Sequence, residues 1–228
     1  MREPEKNEKI SKAEFFSREL LRWYKENGEA YPWRNEGDAY KVFVSEILLR
    51  KTGRNKVKEF YPFFIRLFPN LEELARADIN LLVNTLRPLG LSYQRAHQLK
   101  EAAEFISDKF AGRLPGNLED LMRIPGVGRY TASAVLCFAY GTDTPLLDTN
   151  IIRLLERFFN VTSSRARPRD DPEFWKFTET LIPHESTPEF FYGALDFSNQ
   201  ICRAKKPKCP ECPLRRMCSY FEKVPEGP

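Results

Sequence analysis

The amino-acid sequence predicts an all-α fold. Apolar residues recur at helical spacing along nearly the whole chain, and no segment alternates strictly between apolar and polar residues as a half-buried strand does. Helix breakers divide the pattern: Gly28, Pro32, Gly53, Pro69, Gly90, Pro115, Gly126, Gly141 and Pro183 all fall between periodic stretches. In chain order, the first helix is expected at 11–26, closed by Gly28 and Pro32. Helices at 40–50 and 55–68 are separated by Gly53. A short pair at 71–77 and 79–87 follows Pro69 and ends before Gly90, and a longer helix occupies 93–109. After Pro115, Asn117 is a suitable N-cap for "LEDLM" in a helix at 117–123. Gly126 and Gly128 then precede a helix at 129–140. Past Gly141, Asp148 stands where a cap belongs for "TNIIRLLERFF", giving a helix at 149–159. The polar run "SSRARPRDD", 163–171, reads as a loop, and helices at 172–182 and 188–201 complete the set.

At 228 residues the chain is long enough to bury a substantial core, as one large domain or two small ones. With 42% hydrophobic, 30% charged and 13% aromatic residues, it has the composition of a soluble globular protein. No run reaches the roughly 20 apolar residues that a membrane helix needs. The charged opening "MREPEKNEKISKAEFF" lacks the apolar centre of a signal peptide, so a cytoplasmic location is expected. The net charge of +4 is modest, but its distribution is uneven. "RKTGRNKVK", 50–58, carries Arg50, Lys51, Arg54, Lys56 and Lys58 without an acid, while Arg203, Lys205, Lys206, Lys208, Arg215 and Arg216 are set against Glu211 alone. Either cluster by itself reads equally well as a solvated surface; the two together point to a polyanionic partner.

Cys137 lies within "AVLCFAY" and reads as a small core residue. The other four cysteines, Cys202, Cys209, Cys212 and Cys218, are spaced C-x6-C-x2-C-x5-C. In a reducing compartment such a group reads as a metal site more readily than as two disulfides. Zinc and an iron–sulfur cluster both accept four thiolates, and the spacing alone does not separate them.

The stretch "RIPGVGRYTASAVLCFAYG", 123–141, is a tight turn running into an apolar helix. Gly126 and Gly128 let the backbone approach a ligand, and the helix behind them aims its positive dipole end at it. Such a turn grips one or two phosphates without regard to base identity; it also serves simply to join two helices. Asp148 is either a helix cap alone or a cap whose carboxylate also works. Glu46, the lone acid in "YKVFVSEILL", either faces a cavity or forms a surface pair with Arg50 at i,i+4.

Several of these segments together resemble the endonuclease III superfamily of DNA glycosylases. "IPGVGRYTASAV" is similar to its helix-hairpin-helix, "LLDTNIIRL" to the segment carrying its catalytic aspartate, and "ALDFSNQICRAKKPKCPECPLRRMC" to its [4Fe–4S] loop. "YPWR" at 31–34, "VFVSEILLRKT" at 42–52 and "LGLSYQRAHQL" at 89–99 match as well, in the family's order across residues 31–218. The resemblance implies two domains: a cluster domain built from 1–35 and 146–228, and a six-helix domain over 36–145 with the hairpin at 117–140. It implies double-stranded DNA held in the cleft between them, a monomer, and a [4Fe–4S] cluster on Cys202, Cys209, Cys212 and Cys218. The cluster would be structural, fixing a basic loop against phosphates.

The same resemblance gives residues roles. Gly126, Val127, Gly128 and Arg129 become phosphate contacts. Asp148 becomes the carboxylate that stabilises the oxocarbenium-like sugar or activates water. Glu46 helps the base depart. Tyr130 stands where bifunctional members carry a lysine that attacks the sugar as an amine. A phenol, with a reference pKa of about 10, forms no imine and is a poor nucleophile at neutral pH. A monofunctional enzyme that leaves an abasic site is therefore expected. Base chemistry requires the nucleotide to leave the stack. Arg50 and Lys51, in the turn after "EILL", and Leu91, Ser92 and Tyr93, in "LGLSYQ", are the candidates to fill the hole.

Tyr130, "LLRKT" and "GLSYQRA" resemble the branch that removes thymine or uracil mispaired with guanine. The alternatives are an adenine glycosylase acting on A·G or A·8-oxoguanine, and a noncatalytic DNA-binding module. Only ten residues follow Cys218, where adenine enzymes usually carry a further domain; two carboxylates, Glu46 and Asp148, are of no use to a pure DNA binder.

Overall fold

The computed structural model describes residues 10–34 and 37–223. Residues 1–9, most of the charged opening, lie outside them, as do residues 35 and 36 near the expected domain boundary. The described residues are helical, with no strand among them, as the periodicity requires. In order they are α1 Lys12–Asn27, α2 Ala39–Leu49, α3 Arg54–Leu67, α4 Leu71–Arg76, α5 Ile79–Leu86, α6 Ser92–Lys109, α7 Leu118–Arg123, α8 Arg129–Tyr140, α9 Thr149–Phe159, α10 Pro172–Glu179, α11 Thr187–Gln200 and α12 Ser219–Lys223. The last was not foreseen, and neither were short 3-10 turns at Arg87–Leu89, Pro168–Asp170, Cys209–Glu211 and Arg215–Met217. Such short pieces have too few residues to show a period. Helix α10 stops three residues before the expected end because Leu181 and Ile182 bond back in tight turns onto Thr178 and Glu179.

Short polar side chains set the helix starts. Ser11 and Glu14 form a capping box on α1, with Glu14 N–H donating to Ser11 Oγ at 3.1 Å and Ser11 N–H to Glu14 Oε2 at 2.8 Å. Asp38, Asn70, Asp78 and Asn117 cap α2, α4, α5 and α7 in the same way.

Two compact units divide the chain. One takes the residues up to Glu29 together with Pro145 onward; the other is Ala30–Thr144. In the first, α1 packs on α11 and α9. Gly193 permits the close approach, since a Cβ there would lie 3.0 Å from Tyr24 Cβ. Phe16, fully buried, meets the rings of Phe158, Phe159 and Phe190 at 4.9, 5.1 and 6.0 Å. In the second, α2 and α6 run through a core that includes Phe43, Ile47, Leu82, Leu99 and Val135. Tyr31 stacks on Trp33 at 4.7 Å, and Trp33 packs edge-on to Tyr61, so "YPWR" belongs to this second unit.

Candidate active site and DNA interface

The hairpin is α7, a turn and α8. Ile124 N–H bonds to Leu121 and Val127 N–H to Ile124, at 3.2 and 3.0 Å, which closes the turn. Val127 is buried and anchors it, so its N–H and side chain both serve the turn itself. Gly126 has φ +73°, a conformation that favours glycine, and a Cβ there would fall 2.4 Å from Gln98 Nε2 and displace that side chain. Gly128 differs. It is the N-cap of α8 with φ −95°, offers no side-chain cap, and has nothing within 4 Å of a Cβ built on it. Among the described residues, the positive end of the α8 dipole therefore has no side chain beyond the chain neighbours within 4 Å of that Cβ position.

One turn of the second unit bonds this hairpin directly, and a second turn leads into α6, whose Gln98 also bonds it. Arg50, at the end of α2, donates through Nη2 to Gly126 O at 3.0 Å and to Thr131 Oγ1 at 2.9 Å. Gln98 Nε2 donates to the same Gly126 carbonyl at 2.8 Å. Arg50 is thus half-buried and tied to the hairpin, while Lys51 beside it is exposed with φ +52°. In the other turn Leu91 also has φ +52° and is 48% exposed, and Tyr93, 69% exposed, packs on His97 with ring centroids 4.3 Å apart. Ser92 is the first residue of α6.

Tyr130 lies in the first turn of α8 and is half-buried; Arg129 before it is exposed. Glu46 lies half-buried on α2 between buried Ser45 and Ile47, one turn before Arg50, and its charge acts on that guanidinium. Both belong to the second unit, while Asp148 belongs to the first.

Asp148 is the N-cap of α9. Its Oδ1 accepts the N–H groups of Asn150 and Ile151 at 2.9 and 2.7 Å, and its Oδ2 accepts Asn150 Nδ2 at 2.8 Å. Three donors on one carboxylate fix its rotamer. Asn150 is itself held by Arg153 Nη1, at 3.1 Å from its Oδ1. Arg153 also donates to Ser198 O and to Cys202 O, at 2.9 and 3.1 Å. Capping and a working carboxylate are therefore compatible at this position.

All four clustered cysteines are free and line one pocket, together with Leu154, Phe158, Phe197 and Leu214. Arg157 Nη1 approaches Cys202 Sγ at 3.5 Å and also bonds Arg203 O at 2.7 Å; its guanidinium lies over the Tyr220 ring. Burial raises the thiols of Cys202, Cys209 and Cys212, the last to about 12. A ligand taking them as thiolates must release their protons and supply cationic charge. Cys137, by contrast, is buried in α8.

Comparison with known proteins gives one answer. The profile of HhH-GPD superfamily base excision DNA repair proteins matches residues 44–178. The chain belongs to this superfamily. The thymine-DNA glycosylase of Aeropyrum pernix is 42% identical over 91% of this chain and 95% of its own length. The thymine/uracil-DNA glycosylase of Pyrobaculum aerophilum is 41% identical over 90% of each. An adenine DNA glycosylase of Buchnera aphidicola subsp. Schizaphis graminum is 32% identical over 91% of this chain but 60% of its own. A solved thermostable thymine-DNA glycosylase superposes with a TM-score of 0.89 at 34% identity, covering 93% of this chain and 98% of that one. The protein is thus an HhH-GPD DNA glycosylase, and DNA is its partner.

Within this HhH-GPD enzyme the structure brings the hairpin, the Arg50–Thr52 turn and the Gly90–Leu91 turn together, and it gathers the four cysteines. Sequence reasoning missed Asn150, Arg153 and Arg95. Arg95 did leave a trace: it is a charge on the apolar face of α6, in register with Leu99 and Ala102, and it is only 3% exposed. The four thiols line a single pocket, which is consistent with an iron–sulfur cluster, although among the described residues they are not drawn together closely enough to hold a metal ion as they stand. Among the described residues no helix is long and apolar enough to cross a membrane.

Proposed function

We propose that this glycosylase hydrolyses the N-glycosidic bond of thymine or uracil mispaired with guanine in double-stranded DNA, acts as a monomer, and leaves the abasic strand intact. One observation in each unit supports the reading: Asp148 is held by three hydrogen bonds, and Tyr130, which carries no amine, stands in the first turn of α8 after the hairpin glycines. The likeness to thymine and thymine/uracil glycosylases over nearly the full chain supports the same substrates.

Departure of the base leaves positive charge on the sugar ring, and a carboxylate held in place stabilises it without reorganising. Asp148 keeps Oδ1 in the cap and presents Oδ2 to the sugar or to the attacking water. Glu46 assists the leaving base. Tyr130 supplies no amine, so no Schiff base precedes strand cleavage. Gly126, Gly128 and Arg129 hold a phosphate at the positive end of α8. Cys202, Cys209, Cys212 and Cys218 hold a [4Fe–4S] cluster, which serves as a structural crosslink of the basic loop 203–216 and enters no step of the reaction.

A panel of duplexes containing T·G, U·G, A·G, A·8-oxoguanine and hypoxanthine, analysed by chromatography of the released base, tests the substrate. Free thymine or uracil from the guanine mispairs is expected. Release confined to adenine would contradict the reading and assign the chain to the adenine branch.

A further inference from the structure

Arg95 is a charged side chain buried in α6 with 3% exposure, and four of its N–H groups are spent on two separate turns. Nη1 donates to Leu89 O at 3.2 Å and to Gly90 O at 2.7 Å. Nη2 donates to Thr52 Oγ1 at 2.6 Å and to Arg50 O. The remaining donor, Nε, is buried without a partner, so the fork is oriented on the two turns at the expense of its own satisfaction.

The carbonyls it holds have something in common. The residue after Arg50 is Lys51, and the residue after Gly90 is Leu91; each has φ +52° and an exposed side chain. Left-handed backbone is uncommon for residues with a Cβ, and for a bulky leucine it is an outlier that persists only where its surroundings impose it. Here one guanidinium grips the peptide just before both outliers. Thr52 Oγ1 adds a bond to Leu89 O at 3.4 Å, so the two turns are also laced directly to each other. The assembly continues through Arg50 and Gln98 to the Gly126 carbonyl of the hairpin.

We propose that Arg95 is a positioning residue for base extrusion: it fixes the tips of both turns, Lys51 and Leu91, as one rigid pair that enters the stack when the target nucleotide leaves it. Two prongs on separate turns fill a gap together only if their spacing is set beforehand, and a planar fork with parallel donors sets it where a single ammonium cannot. The proposal rests on the reading that the chain acts on a base within a duplex.

The test compares wild-type protein, Arg95→Lys and Thr52→Val on whichever duplex of the panel the wild type cleaves, with 2-aminopurine beside the target base. Arg95→Lys keeps the charge but cannot span both turns. It is expected to slow single-turnover excision on the order of a hundredfold and to lose most of the fluorescence rise that reports unstacking. Binding to undamaged duplex, which relies on the hairpin, should stay within a few-fold. Thr52→Val, nearly isosteric, should show the same pattern at about tenfold and keeps the test decisive if the lysine variant fails to fold. A target base facing a gap needs less extrusion and should recover most of the lost rate. Equal loss on paired and gapped substrates would reduce Arg95 to a structural residue and overturn the proposal, as would wild-type fluorescence and rate in both variants. Absence of base release by wild-type protein from every duplex would overturn the functional reading, and with it this role.

Discussion

Asp148 shows how one side chain carries a local and a global task. As N-cap it accepts the N–H groups of Asn150 and Ile151, and that duty holds Oδ2 in a fixed direction. Asp148→Asn keeps an oxygen for the cap and removes the charge. It should lower base release on the order of a hundred- to a thousandfold. Duplex binding and the thermal midpoint should stay near wild type. Single-turnover kinetics beside a binding titration checks both halves, and an active Asn variant would remove Asp148 from the chemistry. The cap was legible in "LLDTNIIRL", because an acid before an apolar helix is a local pattern. The support from Asn150 and Arg153 was not, because Arg153 bonds residues 45 and 49 positions away. Arg50 teaches the converse. In the sequence it stood beside Lys51 in a basic run and, by resemblance, as a candidate to fill the hole in the stack, yet its guanidinium turns inward to the hairpin carbonyl.

Among the elements, helix boundaries follow from caps and breakers that sit next to the residues they govern, so nearly every helix could be placed to within a residue or two. Helix α12 and the 3-10 turns escape because they are too short to show a period, and α12 is held from a distance: Lys223 Nζ reaches Asn160 Oδ1 at 2.6 Å, tying it to the left-handed end of α9. The run 163–171 reads as a plain polar loop, but it is pinned at both ends. Ser163 Oγ donates to Asp171 Oδ2 at 2.6 Å, Asp171 caps α10, and Trp175 Nε1 donates to Arg169 O at 2.7 Å. The Ser163 hydroxyl is the main cause of the lowered Asp171 pKa, followed among the favourable contacts by the Glu173 and Ser164 N–H groups. A carboxylate whose folded pKa is depressed adds stability above its unfolded value, near pH 4, and loses it as pH falls through the folded value. Ser163→Ala should therefore melt below wild type at neutral pH, and the gap should close in acid. A gap that widens with acidification would contradict the assignment.

At the level of the molecule, the two units hold different parts of the chemistry: the hairpin, Glu46 and Tyr130 in one, Asp148 and the four cysteines in the other. The fold class was legible because a helical period is written in every segment. The gathering of Cys202 with Cys218 was legible because the spacing is short. The linkage of the Arg50–Thr52 turn to the Gly90–Leu91 turn was not, since Arg95 reaches back 45 residues to a backbone carbonyl that any sequence would offer. For the cysteine pocket, the proposed cluster makes purified protein brown with broad visible absorption, and Cys202→Ser should bleach it; a colourless zinc protein would contradict the assignment. The reading as a whole turns on the fate of the strand after the base has gone. A labelled T·G or U·G duplex incubated with the protein and divided into alkali-treated and untreated halves measures this directly. Strand breaks are expected only in the alkali-treated half, because Tyr130 offers no amine; strand breaks in the untreated half, with a borohydride-trapped complex on DNA, would contradict it.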